Sequence, residues 1–184
     1  MSISDEDARF WELIEQERHR TWRLCRALTR SYDDASDLMS DTVLAAYQSF
    51  PSLREPGAFR WFLSTIAVRI QRRKRWRSRI FVSLDEARRI AWESTQESSY
   101  DLEVLIRSLE QLPAREREAL VLFEISGLSI KEIQGIQGGT ISGVKSRMNR
   151  ARQKLHTMVA SDAPSAFRTP PKSLLPTHIR LQEL

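Results

Sequence analysis

The amino-acid sequence predicts an all-α protein of two small helical domains joined by a flexible linker, and three observations lead to that class. Apolar residues recur at helical spacing along most of the chain, with no convincing run of strand alternation. A polar stretch at residues 81–100, carrying Ser94, Thr95, Ser98 and Ser99, separates two periodic halves. Residues 128–155, LSIKEIQGIQGGTISGVKSRMNRARQKL, read as a helix, a Gly-bearing turn and a second helix ending in a basic run. With 184 residues the chain is long enough to bury a core in one medium domain or two small ones.

Each element follows from local signals. Phe10, Leu13 and Ile14, then Trp22, Leu24 and Leu28, place one or two helices at the start. Asp33 and Asp34 introduce a helix running to about Phe50, which Pro51, Ser52, Pro56 and Gly57 end. Within it, Asp34, Asp37 and Asp41 fall within about 60° of one another, while Met39, Val43, Ala46, Tyr47 and Phe50 gather on roughly the opposite face. One face reads as core and the other as an acidic ridge bordered by Leu38 and Leu44. Proximity to the helix N-terminus explains Asp34 and Asp37 structurally, because the macrodipole favours carboxylates there. It explains Asp41 less well.

The next helix runs from about Ala58 into a cationic run, FRWFLSTIAVRIQRRKRWRSR. Phe59, Phe62, Leu63, Ile66 and Ile70 have core spacing. Arg69, Arg72, Arg73, Lys74, Arg75, Arg77 and Arg79 have no interspersed acid, so their mutual repulsion calls for a polyanion. Trp61 and Trp76 either pack in this helix or offer surfaces on which unpaired bases stack.

Beyond the linker, Leu102, Leu105, Ile106 and Leu109 form a helical stripe, and Pro113 suits the first turn of a helix that ends near Ile125 with Gly127 behind it. Ser129 and Glu132 have capping-box spacing. Gly138 and Gly139 fit a tight turn, with Thr140 as N-cap of the second helix. That helix puts Ile141, Val144, Met148, Ala151 and Leu155 on one stripe and Ser142, Ser146, Asn149 and Arg150 opposite, flanked by Lys145 and Arg147. Short polar groups followed by cations suit base edges and phosphates. A basic amphipathic helix can equally be a solvated surface helix, so the upstream elements must decide. Residues 161–184, with Pro164, Pro170, Pro171 and Pro176, read as an extended or flexible tail.

Charge and composition narrow the function. The net charge is +5, with acids concentrated in the first fifty residues and cations in residues 69–79 and 145–154. This distribution suits an anionic partner on two separate stretches. Cys25 is the only cysteine, which leaves no internal disulfide and no cysteine-rich zinc site. His19, His156 and His178 form no ligand pattern, and no catalytic residues, metal or cofactor are expected. The charged N-terminus is unlike a signal peptide and no stretch is long and apolar enough to span a bilayer. The expectation is a soluble cytoplasmic protein without membrane insertion.

The three constellations, in this order, resemble a bacterial RNA polymerase sigma factor of the extracytoplasmic-function (ECF) type. The resemblance covers about residues 10–155. DDASDLMSDTVLAAYQSF and FRWFLSTIAVR are similar to the two key helices of sigma domain two, and LEQLPAREREALVLFEISGLSIKEI with GVKSRMNRARQKL to sigma domain four. The resemblance implies domain two at 1–80, a linker at 81–100, domain four at 101–160 and a tail at 161–184. It further implies that Asp34, Asp37, Leu38, Asp41 and Leu44 meet the clamp helices of core RNA polymerase, with the flap as a second polymerase contact. The minus-ten promoter element falls to Arg54, Arg60, Trp61, Arg69, Arg72, Arg73, Arg75 and Trp76. The minus-thirty-five element falls to Thr140, Ser142, Lys145, Ser146, Arg147 and Arg150. Partners are then core polymerase, promoter DNA and, in some family members, an anti-sigma factor; the chain itself catalyses nothing.

Several positions depart from the family pattern. Gln134, Gln137 and Gly139 stand where Ala, Leu and Ile are usual, which predicts weaker packing inside the helix-turn-helix. Val68 and Arg69 stand where a basic residue and Asn are common, and the tail extends past the usual end. Two other readings fit parts of the sequence: a sigma mimic that occupies an anti-sigma factor, and a regulator that uses the helix-turn-helix alone.

Overall fold

A computed structural model describes residues 5–53, 55–81 and 100–162. Arg54, most of the expected linker and the tail beyond residue 162 lie outside the described residues. Seven α-helices follow one another among the described residues: α1 Asp5–Leu28, α2 Tyr32–Ser49, α3 Phe59–Phe81, α4 Tyr100–Gln111, α5 Ala114–Glu124, α6 Ile130–Gln137 and α7 Ile141–Asp162. The early apolar residues share one long helix. Two short 3-10 turns, Phe50–Ser52 and Pro56–Ala58, connect α2 to α3 where proline and glycine interrupt the helical pattern.

The helix ends have visible causes. Ser31 caps α2, its hydroxyl accepting from the Asp34 N–H at 3.0 Å, and Asp33 and Asp34 occupy the first turn, where the macrodipole favours them. Pro113 precedes α5 and gives up no hydrogen bond there, because the first N–H groups of a helix have no intrahelical acceptor. After α5, Gly127 adopts φ +66°, a left-handed conformation that turns the chain toward α6.

Packing produces two apolar clusters. The first joins Phe10 and Ile14 of α1, Ala46 of α2, Phe50, and Phe59 and Leu63 of α3. Phe10 sits at its centre, edge-on to Trp11, Tyr47 and Phe50 at 5.2 Å and to Phe59 at 6.0 Å. The second cluster is larger and continuous across both halves of the chain. Leu24, Cys25 and Leu28 of α1, Leu38 of α2 and Val68 of α3 belong to it together with Leu109, Leu120, Leu122, Val144 and Met148. Accordingly α1 packs against α4 and α5, and α3 meets α6. The two helical domains, α1–α3 and α4–α7, thus share an apolar interface. The apolar stripes of the first three helices are wider than those helices can bury among themselves, and the second half covers the remainder.

Five residues sit differently from the sequence expectation. The buried stripe of α2 is Ala35, Leu38, Thr42 and Ala46, so Leu38 lies wholly inside rather than beside the acids at the surface. Tyr47, expected in the core, is exposed, and Met39 and Val43 are half-buried. Ile141 is exposed at the start of α7, whose buried side consists of Val144, Met148 and Ala151. In each case the helical period was right, and tertiary contact selected which part of a broad apolar arc faces inward.

Candidate functional site

Three surfaces correspond to the three sequence constellations. On α2, Asp34, Asp37 and Asp41 are all exposed. Asp41 pairs with Lys74 of α3 at 2.7 Å, which ties the ridge to the basic helix behind it. Leu44 projects beside the acids at 57% exposure, whereas Leu38 supports them from beneath. Next to Leu44 lies a shallow apolar hollow lined by Trp11, Met39, Ser40, Val43, Leu44 and Tyr47. The Tyr47 hydroxyl donates to the Asp7 carboxylate at 2.6 Å, and that hydrogen bond raises the phenol above its ordinary range. Sequence reasoning missed the hollow. Its signal was Trp11, an aromatic one position off the Phe10 stripe.

Helix α3 presents two cationic faces with different occupants. Arg69, Arg73, Trp76 and Arg77 span about 100° of the helix and are exposed. Trp76, at 65% exposure, offers its ring to solvent among these cations. Trp61, Val68, Arg72 and Arg75 span about 60° on another side, the side turned toward the second half of the chain. The Trp61 indole N–H donates to the Glu132 carbonyl at 3.3 Å. Arg72 donates to Glu118 at 2.7 Å and to the Ile136 carbonyl at 3.3 Å. Arg60 is occupied too, pairing with Glu17 at 3.0 Å. The absence of acids within the run therefore did not mean absence of neutralisation. Asp41, Glu17 and Glu118 arrive from other helices, which the local sequence could not display.

The helix-turn-helix consists of α6, Gly138 and Gly139, and α7. The Ser129 hydroxyl accepts from the Glu132 N–H at 3.3 Å and the Ser129 N–H donates to the Glu132 carboxylate at 2.8 Å, completing the capping box. Gly138 and Gly139 have φ of +74° and +85°. Thr140 caps α7, accepting from the Gly143 N–H at 3.0 Å. The packing expected to be lost at Gln134 and Gln137 is offset in part by hydrogen bonds, although the buried Gln137 side-chain oxygen has no partner. Gln134 donates to the Gly139 carbonyl at 3.0 Å, and the buried Gln137 amide donates to the Arg115 carbonyl at 2.9 Å and to Glu118 at 3.4 Å.

On the outer face of α7, Thr140, Ser142, Ser146, Asn149 and Arg150 are exposed, with Lys145 and Arg147 half-buried. Arg147 reaches back to the Gly138 carbonyl at 3.4 Å, and burial, together with Arg115 and Arg150 nearby, lowers its pKa. Arg150 and Lys154 both bond to Glu116 of α5, at 3.0 and 2.8 Å. The two cations fix the azimuth of α7 on α5, leaving the short polar residues outward. A helix presented in this manner suits a DNA groove, with side chains rather than backbone meeting base edges.

The remaining reactive groups are quiet. Cys25 is buried, and desolvation pushes its thiol up to about 12. No group of His, Cys, Asp and Glu able to hold a metal ion occurs among the described residues. None of their helices is long and apolar enough to cross a membrane.

Comparisons with known proteins identify the family. The family profile described as Sigma-70 region 2 matches residues 13–79, and that described as Sigma-70, region 4 matches residues 102–155. The chain is 31% identical over 157 residues to the ECF RNA polymerase sigma factor SigE of Mycolicibacterium smegmatis, covering 81% of this chain and 61% of that relative. It is likewise 31% identical over 144 residues to the ECF RNA polymerase sigma factor EcfG of Rhodopseudomonas palustris, covering 77% of this chain and 80% of the relative. Among solved structures, the sigma factor RpoE from Bartonella quintana, crystallised with the anti-sigma factor NepR, superposes with a TM-score of 0.69 at 27% identity over 84% of this chain and 98% of that one. CnrH, in complex with the cytosolic domain of CnrY, shares the fold at a TM-score of 0.62 and 24% identity, covering 84% of this chain and 89% of that one. With both sigma-70 regions matched in order and an ECF relative matched over most of its length, the chain belongs to the ECF-type sigma factors of the sigma-70 family.

Proposed function

We propose that this chain binds core RNA polymerase in the bacterial cytoplasm and directs it to promoters carrying two spaced elements. The observation that carries the reading is the presence, in one chain, of an exposed acidic ridge on α2 and an exposed polar face on the second helix of a helix-turn-helix. Asp34, Asp37, Asp41 and Leu44, backed by Leu38, dock on the polymerase clamp helices, and the second half meets the flap. Arg54, Arg60, Trp61, Arg69, Arg72, Arg73, Arg75 and Trp76 serve the minus-ten element, where cations hold the backbone and an aromatic ring accepts an unstacked base. Thr140, Ser142, Lys145, Ser146, Arg147 and Arg150 serve the minus-thirty-five duplex. Two sites held by one chain raise the effective concentration of each for the other. The division into 1–80, 81–100, 101–160 and 161–184 assigns one reader to each side of the linker.

The chain performs no chemistry of its own in this scheme; polymerase carries the active site. An anti-sigma factor is a further partner, a role that NepR fills for the Bartonella relative. The hydrogen bonds that Gln134 and Gln137 donate across the turn favour a working reader over a sigma mimic. The test is transcription by purified core polymerase plus this chain from a library of random promoters. Transcripts whose start sites share two upstream elements are expected; polymerase binding without any transcript would leave the mimic in its place.

A further inference from the structure

Between Ile141 and Lys154, α7 carries Lys145, Arg147, Arg150, Arg152 and Lys154 with no acid among them. Such a run grips any polyanion, because phosphate contacts supply affinity without sequence information. Much of this charge is taken up from within the reader. Glu116, in the first turn of α5 and 8% exposed, accepts from Arg150 Nε at 3.0 Å on one carboxylate oxygen and from Lys154 Nζ at 2.8 Å on the other. Glu124, the last residue of α5, accepts from Arg152 Nη2 at 2.8 Å and from its Nε at 3.3 Å. Arg147 turns back to the Gly138 carbonyl.

Helix-end electrostatics do not account for both acids. The macrodipole favours a carboxylate in the first turn of α5, which explains Glu116 in isolation but not its two partners on another helix. Glu124 stands at the opposite end, where the macrodipole disfavours a carboxylate, and Arg152 is what it meets there. The side chains around the middle of the outward face of α7, Ser142, Ser146 and Asn149, are neutral and exposed. A helix that is basic in sequence thus offers a largely neutral centre, with three of its cations paired to α5.

We propose that Glu116, supported by Glu124, is a specificity-determining residue of the minus-thirty-five reader: it keeps α7 from holding DNA by charge alone, so that Ser142, Ser146 and Asn149 decide which duplex is retained. The inference rests on the reading of α7 as the minus-thirty-five helix. Selectivity is a difference between two affinities, and it rises when binding to the wrong partner is weakened. Arg150, Lys154 and Glu116 together leave a single net positive charge on this flank of α7. On a duplex of the wrong sequence, phosphates compete with Glu116 for both cations. On the right one, base contacts fix the register, and Arg150, still joined to Glu116 through Nε, offers its terminal nitrogens to a phosphate.

The experiment measures binding of the full chain, across a salt titration, to a duplex that the native chain selects from a random pool and to a scrambled duplex of the same composition. Glu116→Gln adds one net charge to the cluster. Its affinity for the scrambled duplex should rise by about eightfold at about 0.1 M salt, with the slope of log K against log salt steeper by about 0.9. The selected duplex should gain much less, so the native preference falls severalfold. Adding Lys154→Gln to Glu116→Gln removes the extra charge and should return both slope and preference to native values, a rescue that a packing role for Glu116 does not produce. Glu124→Gln, at the more exposed pair, should act in the same direction and decides the matter if Glu116→Gln does not fold. Equal tightening on both duplexes would overturn the selectivity role, and weaker binding to both with an unchanged slope would reduce Glu116 to a support for α7. A native chain that selects no duplex from the pool would remove the reader and this inference together, whereas a preference that survives both substitutions removes the inference alone.

Discussion

Glu116 and Cys25 carry opposite electrostatic histories into the folded chain. Burial alone would raise the Glu116 carboxyl, yet hydrogen bonds from Lys154 and Arg150 outweigh it and hold the group below the usual carboxylate range. A carboxyl depressed in the folded state contributes stability above its unfolded pKa and loses it as the pH falls through the folded value. Urea midpoints of the native chain should therefore fall more steeply on the acid side of the carboxylate range than those of Glu116→Gln, and parallel curves would deny Glu116 this role. Cys25 moves the other way. Its thiol, pushed up to about 12 by desolvation, favours the folded state below the unfolded pKa and loses that contribution as the pH climbs between the two values. At mildly alkaline pH a chromogenic disulfide reagent should leave it unmodified in the native chain and react fully once the chain is unfolded. Rapid reaction without denaturant would mean that α1 is less well covered than its packing indicates.

Among the elements, the helix-turn-helix is where sequence and structure agree most closely, and the reason is range. Capping is a conversation between residues three positions apart, so Ser129 with Glu132, and Thr140 with Gly143, were legible before any packing was known. Replacing Ser129 by Ala removes the acceptor for the Glu132 N–H and should cost about 1 kcal/mol in denaturant unfolding. Gly139→Ala should cost a similar amount, roughly 1 kcal/mol, from backbone strain at φ +85°, because nothing lies within 4 Å of the added Cβ. A stabilising effect of either substitution would contradict the turn geometry. Long-range partners were not legible. Gln137 reads as a defect when its partners Arg115 and Glu118, 22 and 19 positions earlier, are unseen. The basic run of α3 likewise reads as unpaired until Asp41 and Glu118 arrive from other helices. For α2 the period was right and the azimuth was not. Leu38 and Met39 are adjacent apolar residues, and only contact with α1 and α3 decides that Leu38 goes fully inside.

On the scale of the whole molecule, the proposed function assigns the acidic ridge and the helix-turn-helix to different partners, and their separation supplies the sharpest test of that division of labour. Asp37→Lys with Asp41→Lys reverses charge on the ridge and removes the Asp41 partner of Lys74, leaving α5, α6 and α7 untouched. Exposed charges at a docking surface act mainly on encounter, so the variant should bind core polymerase more slowly, by about tenfold at low salt, with the deficit shrinking as ionic strength rises. Its affinity for a minus-thirty-five duplex should not change, since every contact proposed for that reader lies on α7 and its turn. Leu44→Ala separates charge from apolar contact: it should leave the association rate near normal and speed dissociation, because an apolar anchor acts after the encounter. The shared core of the two halves makes the duplex measurement informative as well. If reversal at Asp37 and Asp41 weakened duplex binding as much as polymerase binding, the ridge would be acting through the packing between the halves, and α2 would be a structural support for the reader instead of a separate docking surface.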